Sequence, residues 1–188
     1  PESMSQERRT IISSYGATLV LTEAQKGMSG AIERAKEILN ENSKNFMPDQ
    51  FSNPANPRFH YETTGQEIIH QLNDLDIFVA GVGTGGTLVG VSKRLKEYNK
   101  NIIIAGAEPA KSPVLSGGKA SPHKIQGIGA GFVPKIYDGE NVDEILTISD
   151  EEAIDTARKL AEKHGENKKI MTVSPDGGEK YMSMVKYY

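Results

Sequence analysis

The sequence contains no cysteine, which excludes disulfides and thiolate metal sites and fits a cytoplasmic protein. Charge of one sign is also scarce, because 22 Lys and Arg residues stand against 25 Asp and Glu and the formal net charge is −3. A chain without a basic surplus is a poor candidate for binding nucleic acid. No apolar run approaches the roughly 18 residues that a membrane span requires. We therefore expect a globular protein that binds neither nucleic acid nor membrane.

The most informative stretch runs from Asp76 to Tyr98. Its residues Ile77 to Ala80 form a short apolar run, which is typical of a buried strand in a parallel sheet. The next residues, Gly81 to Gly86, include four glycines. Apolar residues then recur at the spacing of a helix that begins at Thr87. A strand, a glycine loop and a helix in this order direct backbone N–H groups to one point, and predict an anion site, most often for phosphate.

The spacing of these glycines also permits a dinucleotide site. Gly81, Gly83 and Gly86 fit the pattern G-x-G-x-x-G after a strand. The next predicted strand, Ile102 to Ala107, is followed by Glu108, the acidic residue that a dinucleotide site requires on the ribose. A NAD-type dinucleotide-binding domain is therefore one interpretation. A tight turn that binds no ligand is another.

A further interpretation comes from resemblance to a known family. The loop Gly83-Thr84-Gly85-Gly86-Thr87 resembles the phosphate loop of the cysteine synthase (O-acetylserine sulfhydrylase) family, which uses pyridoxal phosphate. Further segments match this family in its own order. They are Gln50-Phe51-Ser52-Asn53-Pro54-Ala55-Asn56, His60 to Ile68, Lys124 to Phe132 and Pro175 to Tyr181. The resemblance implies that Gly83, Thr84, Gly85, Gly86 and Thr87 bind the cofactor. It also implies that Gln50 contacts the substrate carboxylate, and that Gly127, Ile128 and Gly129 line the substrate side.

The activity that this resemblance implies is a β-replacement, in which sulfide takes the place of acetate on O-acetylserine and L-cysteine forms. The family commonly forms a homodimer and can bind the C-terminal tail of serine acetyltransferase. Three alternatives stay open: a cystathionine β-synthase-type enzyme, which shares the phosphate loop, the dinucleotide-binding domain, and a catalytically inactive binding fragment. No metal site is expected, since His60 and His70 have no second ligand candidate nearby.

The chain also departs from the family. It has no counterpart of the lysine that binds the cofactor covalently, so no catalytic residue is assigned. The family's Thr-Ser-Gly-Asn-Thr loop is missing, as is its Gly-Ile-Ser-Ser-Gly-Ala stretch, which the family has between the positions of Gly165 and Glu166. We therefore expect residues 1–188 to be an incomplete pyridoxal phosphate-binding domain, with its N-terminal part missing and an internal gap near 165–166.

The predicted fold is α/β, with a mostly parallel twisted sheet and helices on both faces, and the resemblance makes it tryptophan synthase β-like (fold type II). The ligand is expected at the carboxyl ends of the strands, beside Gly83 to Thr87. The other predicted elements follow from local patterns. They are a helix with a capping box at Ser3 and Gln6 that Gly16 ends, helices Ser29–Leu39 and Asp150–His164 (the second capped by Ser149), strands Ala17–Leu21, Ile145–Ile148 and Lys169–Ser174, and loops Phe46–Arg58 and Ala110–Pro122.

Overall fold

The computed structural model describes residues 1–149, 156–165 and 167–173. The described residues form two compact units, 1–47 and 48–173. Within this part of the chain, no helix is both long and apolar enough to cross a membrane.

The first unit begins with helix α1, Gln6–Ser14. Its N-cap is Ser5, whose side chain accepts a hydrogen bond from the Arg8 N–H at 3.4 Å. The capping box predicted at Ser3 was therefore wrong by two positions, because the hydroxyl that reaches a first-turn amide belongs to the next serine. Gly16, predicted to end this helix, follows it with a φ of 79° and donates to the Ser13 carbonyl at 2.9 Å.

Residues Ala17–Leu21, predicted to be a strand, have no regular structure. A strand persists only where a neighbour bonds its backbone groups, and the described residues provide no neighbour for this segment. A short 3-10 helix, Ala24–Lys26, comes next and leads into helix α2, Gly27–Glu41. The predicted helix Ser29–Leu39 is thus confirmed, with about half a turn more at each end.

The second unit is built on a four-stranded parallel sheet. Its strands are β1, Ile77–Gly81; β2, Ile103–Pro109; β3, Glu144–Ile148; and β4, Ile170–Thr172. They lie in the order β3-β2-β1-β4, with Ile77 opposite both Ile103 and Ile170. The predicted parallel sheet is confirmed, and each of these strands was predicted to within two residues.

Helices cover both faces of this sheet, as predicted. On one face, Phe78 and Ala80 pack against helix α4, Thr64–Gln71, and helix α5, Gly86–Tyr98. On the other face, Ile77 and Val79 pack against Leu160 of helix α6, Thr156–His164. Successive residues of β1 therefore point to opposite faces of the sheet, and both faces are covered by helices. This explains why the strand is a continuous apolar run.

Two predicted element boundaries that lie beside prolines were wrong. Ala55–Arg58, expected to be loop, is the first half of helix α3, Ala55–Glu62. Pro57 is compatible with this helix because it lies in the first turn, where an N–H has no helical partner. Strand β2 was expected to stop before Pro109 but includes it. The backbone N–H positions of Ala107 and Pro109 are on the side of β2 that pairs with β1. Strand β1 ends opposite Ala107, so no residue of β1 requires a hydrogen bond from position 109, and proline is tolerated there.

The end of helix α6 agrees with the prediction, since Gly165 follows it with a φ of 94° and donates to the Ala161 carbonyl at 3.0 Å. The predicted start of this helix at Asp150 lies outside the described residues. So do Glu166, at one side of the predicted gap, and the segment Pro175–Tyr181.

Candidate functional site

The glycine loop lies at a position where open parallel sheets bind ligands. It joins the carboxyl end of β1 to helix α5. Strands β2 and β4 flank β1 on opposite sides, so the order of the sheet reverses at β1. Crevices at such a reversal, beyond the carboxyl ends of the strands, are the usual ligand sites of this architecture. The predicted location of the site therefore coincides with the switch point of the observed sheet.

The loop presents the amino end of α5 without a capping side chain. The N-cap residue is Gly85, with a φ of 88°, so no N-cap side chain accepts from the first-turn N–H groups as Ser5 does in α1. The Gly86 N–H donates to Oγ1 of the preceding Thr84 at 3.3 Å. Only glycine adopts this backbone conformation without strain. A helix end of this kind leaves backbone N–H groups and the positive end of the helix dipole directed at one point. An anion with several oxygens is the chemistry that this end accommodates.

Two other glycines of the loop are required by close neighbours. A Cβ at Gly83 would lie 2.3 Å from the carbonyl oxygen of Gly127, and one at Gly86 would lie 1.9 Å from Oδ1 of Asn56. Both distances are shorter than any side chain tolerates. The loop is therefore held between two other segments of the chain, and its glycines permit that approach.

The first of these segments contains the predicted substrate residues Gly127, Ile128 and Gly129. The Gly129 N–H donates to the Val82 carbonyl at 3.0 Å, and Ile128 packs on Gly81, where a Cβ would lie 2.8 Å from Ile128 Cγ2. Gly127 and Gly129 have φ values of 88° and 66°, which suit glycine. The structure thus places all three residues beside the glycine loop.

The second segment contains Gln50. Its side chain is exposed, and its backbone carbonyl accepts from Nδ2 of Asn56 at 2.9 Å. The same Nδ2 donates to Oγ1 of Thr84 at 3.0 Å. Gln50 is therefore connected to the glycine loop through a single amide group, that of Asn56. The site residues predicted from the sequence thus belong to the glycine loop and to the two segments that contact it.

Sequence reasoning missed how helix α3 reaches this site. Gly86 and Gly90, one turn apart on α5, form a smooth face on which α3 lies, and a Cβ at Gly90 would be 2.1 Å from the Pro57 carbonyl oxygen. This packing brings Asn56 and His60 against the loop. The signal that could have revealed it is the second glycine four residues into a helix, since glycine there is unfavourable without a packing reason.

The sequence assigned His60 no role in the site, and this side chain contacts the loop directly. Its Nε2 lies 3.3 Å from Oγ1 of Thr87, and its Nδ1 lies 3.0 Å from Oγ1 of Thr64. Burial lowers the pKa of His60 below its ordinary value, so the ring is neutral at neutral pH. A neutral ring between two hydroxyls orients both of them, and one belongs to a predicted cofactor residue.

Glu108, which the dinucleotide interpretation assigns to a ribose, is occupied otherwise. It is 1% exposed, and its carboxylate accepts from the N–H groups of Leu115 at 2.8 Å and Ser116 at 2.9 Å. The Ser116 hydroxyl donates a third bond at 2.6 Å. The carboxylate thus anchors the loop that follows β2. It is not directed to a ligand, which argues against a dinucleotide site.

Comparison with known proteins decides between phosphate ligands. Residues 1–166 match the family described as pyridoxal-phosphate dependent enzymes. The chain belongs to this family. The glycine loop, with its uncapped helix end and the adjacent hydroxyl groups of Thr84 and Thr87, fits the terminal phosphate of that cofactor.

Relatives within the family narrow the similarity further. Cysteine synthases from several strains of Staphylococcus aureus are 44% identical to this chain, over 211 residues that cover the whole chain and 68% of the relative. The matched region is longer than the chain's 188 residues, so the relatives carry residues there that this chain lacks. The resemblance to the cysteine synthase family is confirmed.

Solved structures agree with this assignment. A cysteine synthase from Entamoeba histolytica is 40% identical with a TM-score of 0.85, and the match covers 100% of this chain and 62% of that one. A hydrogen sulfide-producing enzyme from Fusobacterium nucleatum is 35% identical with a TM-score of 0.91, over 100% and 64% of the two chains. An O-acetylserine-dependent cystathionine β-synthase from Helicobacter pylori is 36% identical with a TM-score of 0.87, over 97% and 65%. The chain thus spans less than two thirds of these structures.

Proposed function

We propose that this chain is the phosphate-binding part of a cysteine synthase, which converts O-acetylserine and sulfide to L-cysteine and acetate. The observation that carries the proposal is the convergence of three segments, around Gln50, Gly83 to Thr87 and Gly127 to Gly129, at the switch point of the sheet. The identity to cysteine synthases supports the same reaction.

The phosphate of the cofactor would be held by Gly83, Thr84, Gly85, Gly86 and Thr87. Backbone N–H groups at the start of α5 neutralise part of its charge, and the two threonine hydroxyls donate further bonds. When bound, pyridoxal phosphate supplies a conjugated ring that accepts electrons from the substrate. This chain's share of the reaction is to anchor that ring at one end, since the sequence has no counterpart of the family's lysine.

Gln50 and the segment Gly127–Gly129 would bind and enclose the amino acid. The exposed side-chain amide of Gln50 offers N–H donors to a carboxylate. The apolar side chain of Ile128, packed on Gly81, keeps water away from one wall of the site. The bond between the β-carbon and the ester oxygen breaks, the acetoxy group leaves as acetate, and sulfide forms the new carbon–sulfur bond at the same carbon.

The assembly and location of the protein follow from the family resemblance alone. A homodimer in the cytoplasm, with an active site that can accept the C-terminal tail of serine acetyltransferase, is our proposal for the whole protein. Size-exclusion chromatography with light scattering, with and without a peptide of that tail, tests the dimer and the binding of the tail, and fractionation of the source cells tests the location.

We propose in addition that the active protein carries polypeptide that this sequence lacks, with one insertion near 165–166. The length of the match to Staphylococcus aureus cysteine synthases supports this. The intact mass of the protein purified from its source should then exceed 20.5 kDa by the mass of the additional residues. A measured mass of 20.5 kDa would contradict the proposal.

The test of function uses two variants of the full-length protein. The wild type should carry a yellow chromophore that borohydride bleaches. Gly85→Val should lose it, because a β-branched residue at a φ of 88° distorts the loop at the phosphate. Gln50→Ala should keep it and raise KM for the amino acid, by roughly the 1–3 kcal/mol lost with one partner of a charged hydrogen bond. Loss of the chromophore in Gln50→Ala with retention in Gly85→Val would reverse the two roles.

A further inference from the structure

The hydroxyl of Thr84 is set to donate away from the protein. Its Oγ1 accepts from Nδ2 of Asn56 at 3.0 Å and from the N–H of Gly86 at 3.3 Å. A hydroxyl oxygen has two lone pairs, so these two bonds fill its capacity as an acceptor. Among the described residues, none accepts the hydroxyl hydrogen. That hydrogen is therefore available to an acceptor in the site.

The amide of Asn56 cannot easily adopt another role. One N–H of Nδ2 bonds the Gln50 carbonyl at 2.9 Å and the other bonds Thr84, so both hydrogens of this group are used. Its Oδ1 packs directly against Gly86, and a Cβ added to that glycine would lie only 1.9 Å from this oxygen. The backbone of α5 and the carbonyl of the Gln50 loop thus fix the amide from two sides.

We propose that Asn56 is a positioning residue for the cofactor: it saturates Thr84 as an acceptor, so that the Thr84 hydroxyl donates to the phosphate, and it fixes the Gln50 loop to the same group. The proposal rests on the proposed function, because it assumes that the anion at the loop is the phosphate of pyridoxal phosphate. The proposal gives helix α3, to which Asn56 belongs, a role in binding the cofactor that the sequence of this helix does not indicate.

The chemistry of the amide makes the proposal specific. Asn56→Asp keeps the shape but replaces the N–H donors with a carboxylate, which only accepts. The Thr84 hydroxyl would then turn to the carboxylate and cease to donate to the phosphate. The new charge would also repel that phosphate. An acidic residue in the first turn of a helix is favourable, so folding should be retained.

Asn53→Asp is the matched control. Asn53 lies three residues earlier, in the loop before α3, and its Oδ1 accepts from the Ala55 N–H at 3.0 Å. An aspartate keeps that bond and adds the same charge near the start of α3. In the wild type, Nδ2 of Asn53 donates to the Pro48 carbonyl at 2.9 Å and does not bond Thr84. The two variants therefore differ in the contact under test.

The experiment measures dissociation constants of pyridoxal phosphate and of pyridoxal, which lacks the phosphate, for the full-length protein and its variants. Asn56→Ala should weaken pyridoxal phosphate binding by roughly tenfold to a hundredfold, the loss expected for one hydrogen bond to a charged group. Asn56→Asp should weaken it further. Asn53→Asp should change it less than threefold, and pyridoxal affinity should stay constant in Asn56→Ala.

Thr84→Val supplies a second readout. If Asn56 acts through the Thr84 hydroxyl, Asn56→Ala should weaken binding little further when Thr84→Val is already present. Full additivity of the two changes would overturn the proposal, as would equal losses of pyridoxal and pyridoxal phosphate affinity in Asn56→Ala. A wild type that binds no pyridoxal phosphate would overturn the proposed function, whereas a wild type that binds it and an Asn56→Ala variant of equal affinity would overturn only the role of Asn56.

Discussion

Replacing Glu108 with glutamine tests whether the carboxylate is a structural anchor. In the folded chain, one oxygen accepts from the Leu115 N–H and the other from Ser116. Glutamine has nearly the same shape, but one of its two terminal atoms is an NH₂ group that can only donate. If its oxygen stays with Ser116, which donates twice, the NH₂ group meets the N–H of Leu115 and both are left without an acceptor.

The magnitude follows from these bonds. A hydrogen bond to a charged group contributes about 1.5–3 kcal/mol, and the Leu115 bond is lost outright. The two bonds from Ser116 become neutral and weaken by about half. Glu108→Gln should therefore lower the free energy of unfolding by at least about 3 kcal/mol. For a domain of this size, that corresponds to a melting temperature lower by at least roughly 6 °C. Cofactor binding should persist in the variant that remains folded, because the carboxylate does not face the site.

Urea denaturation followed by circular dichroism measures this change, with Glu140→Gln as the control. Glu140 is exposed, and its replacement removes the same charge with an expected effect within about 0.5 kcal/mol. Equal stability of Glu108→Gln and wild type would refute the reasoning about the anchor. Loss of NAD binding in Glu108→Gln at unchanged stability would restore the dinucleotide interpretation.

A second readout follows the charge of Glu108 to Tyr137. Burial raises the pKa of Tyr137, and the carboxylates of Glu108 and Asp138 raise it further, because all three disfavour the phenolate. Removing the Glu108 charge should therefore lower the pKa of Tyr137 part of the way to its ordinary value. The difference between alkaline titrations of each protein and its Tyr137→Phe counterpart isolates this phenol. An unchanged Tyr137 pKa would mean that the two groups do not interact.

Three shorter predictions follow from other contacts. Gly86→Ala should displace the Asn56 amide, which lies 1.9 Å from the added Cβ, and should weaken pyridoxal phosphate binding about as much as Asn56→Ala does, measured by titration. The lowered pKa of His60 contributes stability that is full above its unfolded value of about 6.5 and is lost as pH falls through the folded pKa, so His60→Gln should flatten the stability profile in that window. The Lys169 N–H is the chief cause that lowers the pKa of Asp76, so the stability that this bond contributes is full above the unfolded pKa of Asp76 and is lost as pH falls through the folded pKa. The protection of β4 amides from hydrogen exchange, measured relative to the intrinsic exchange rate at each pH, should fall in that window, and the fall should be absent in Asp76→Asn.

The parts of the fold that could be predicted are those with local signals. Ile77–Ala80 is apolar at every position because both faces of β1 are covered, and four glycines mark the turn into α5. Gly165 ends a helix through its own backbone preference. Each of these features is decided within a few residues of chain, so its sequence pattern is sufficient.

Apart from the N-cap of α1, where Ser5 replaces the predicted Ser3, the failures depend on distant segments. Ala17–Leu21 has the composition of a strand, but it would need a partner strand that the described residues do not provide. Ala55–Arg58 contains a proline and was assigned to a loop, although α5 offers two glycines for a helix to pack on. The contact between Asn56 and Thr84 joins residues 28 positions apart, and no local pattern encodes it.

The same division explains why the glycine motif was ambiguous. Gly81, Gly83 and Gly86 satisfy the dinucleotide spacing because either ligand needs a tight turn and an open helix end. What separates the ligands is the use of the neighbouring polar groups. Glu108 is turned inward to Leu115 and Ser116, so no carboxylate faces a ribose, whereas Thr84 has a hydroxyl hydrogen to give. A loop that offers hydroxyl donors, beside a carboxylate already engaged by the protein, favours a terminal phosphate over a sugar. The features that favour phosphate therefore include Asn56 and Glu108, neither of which belongs to the glycine loop.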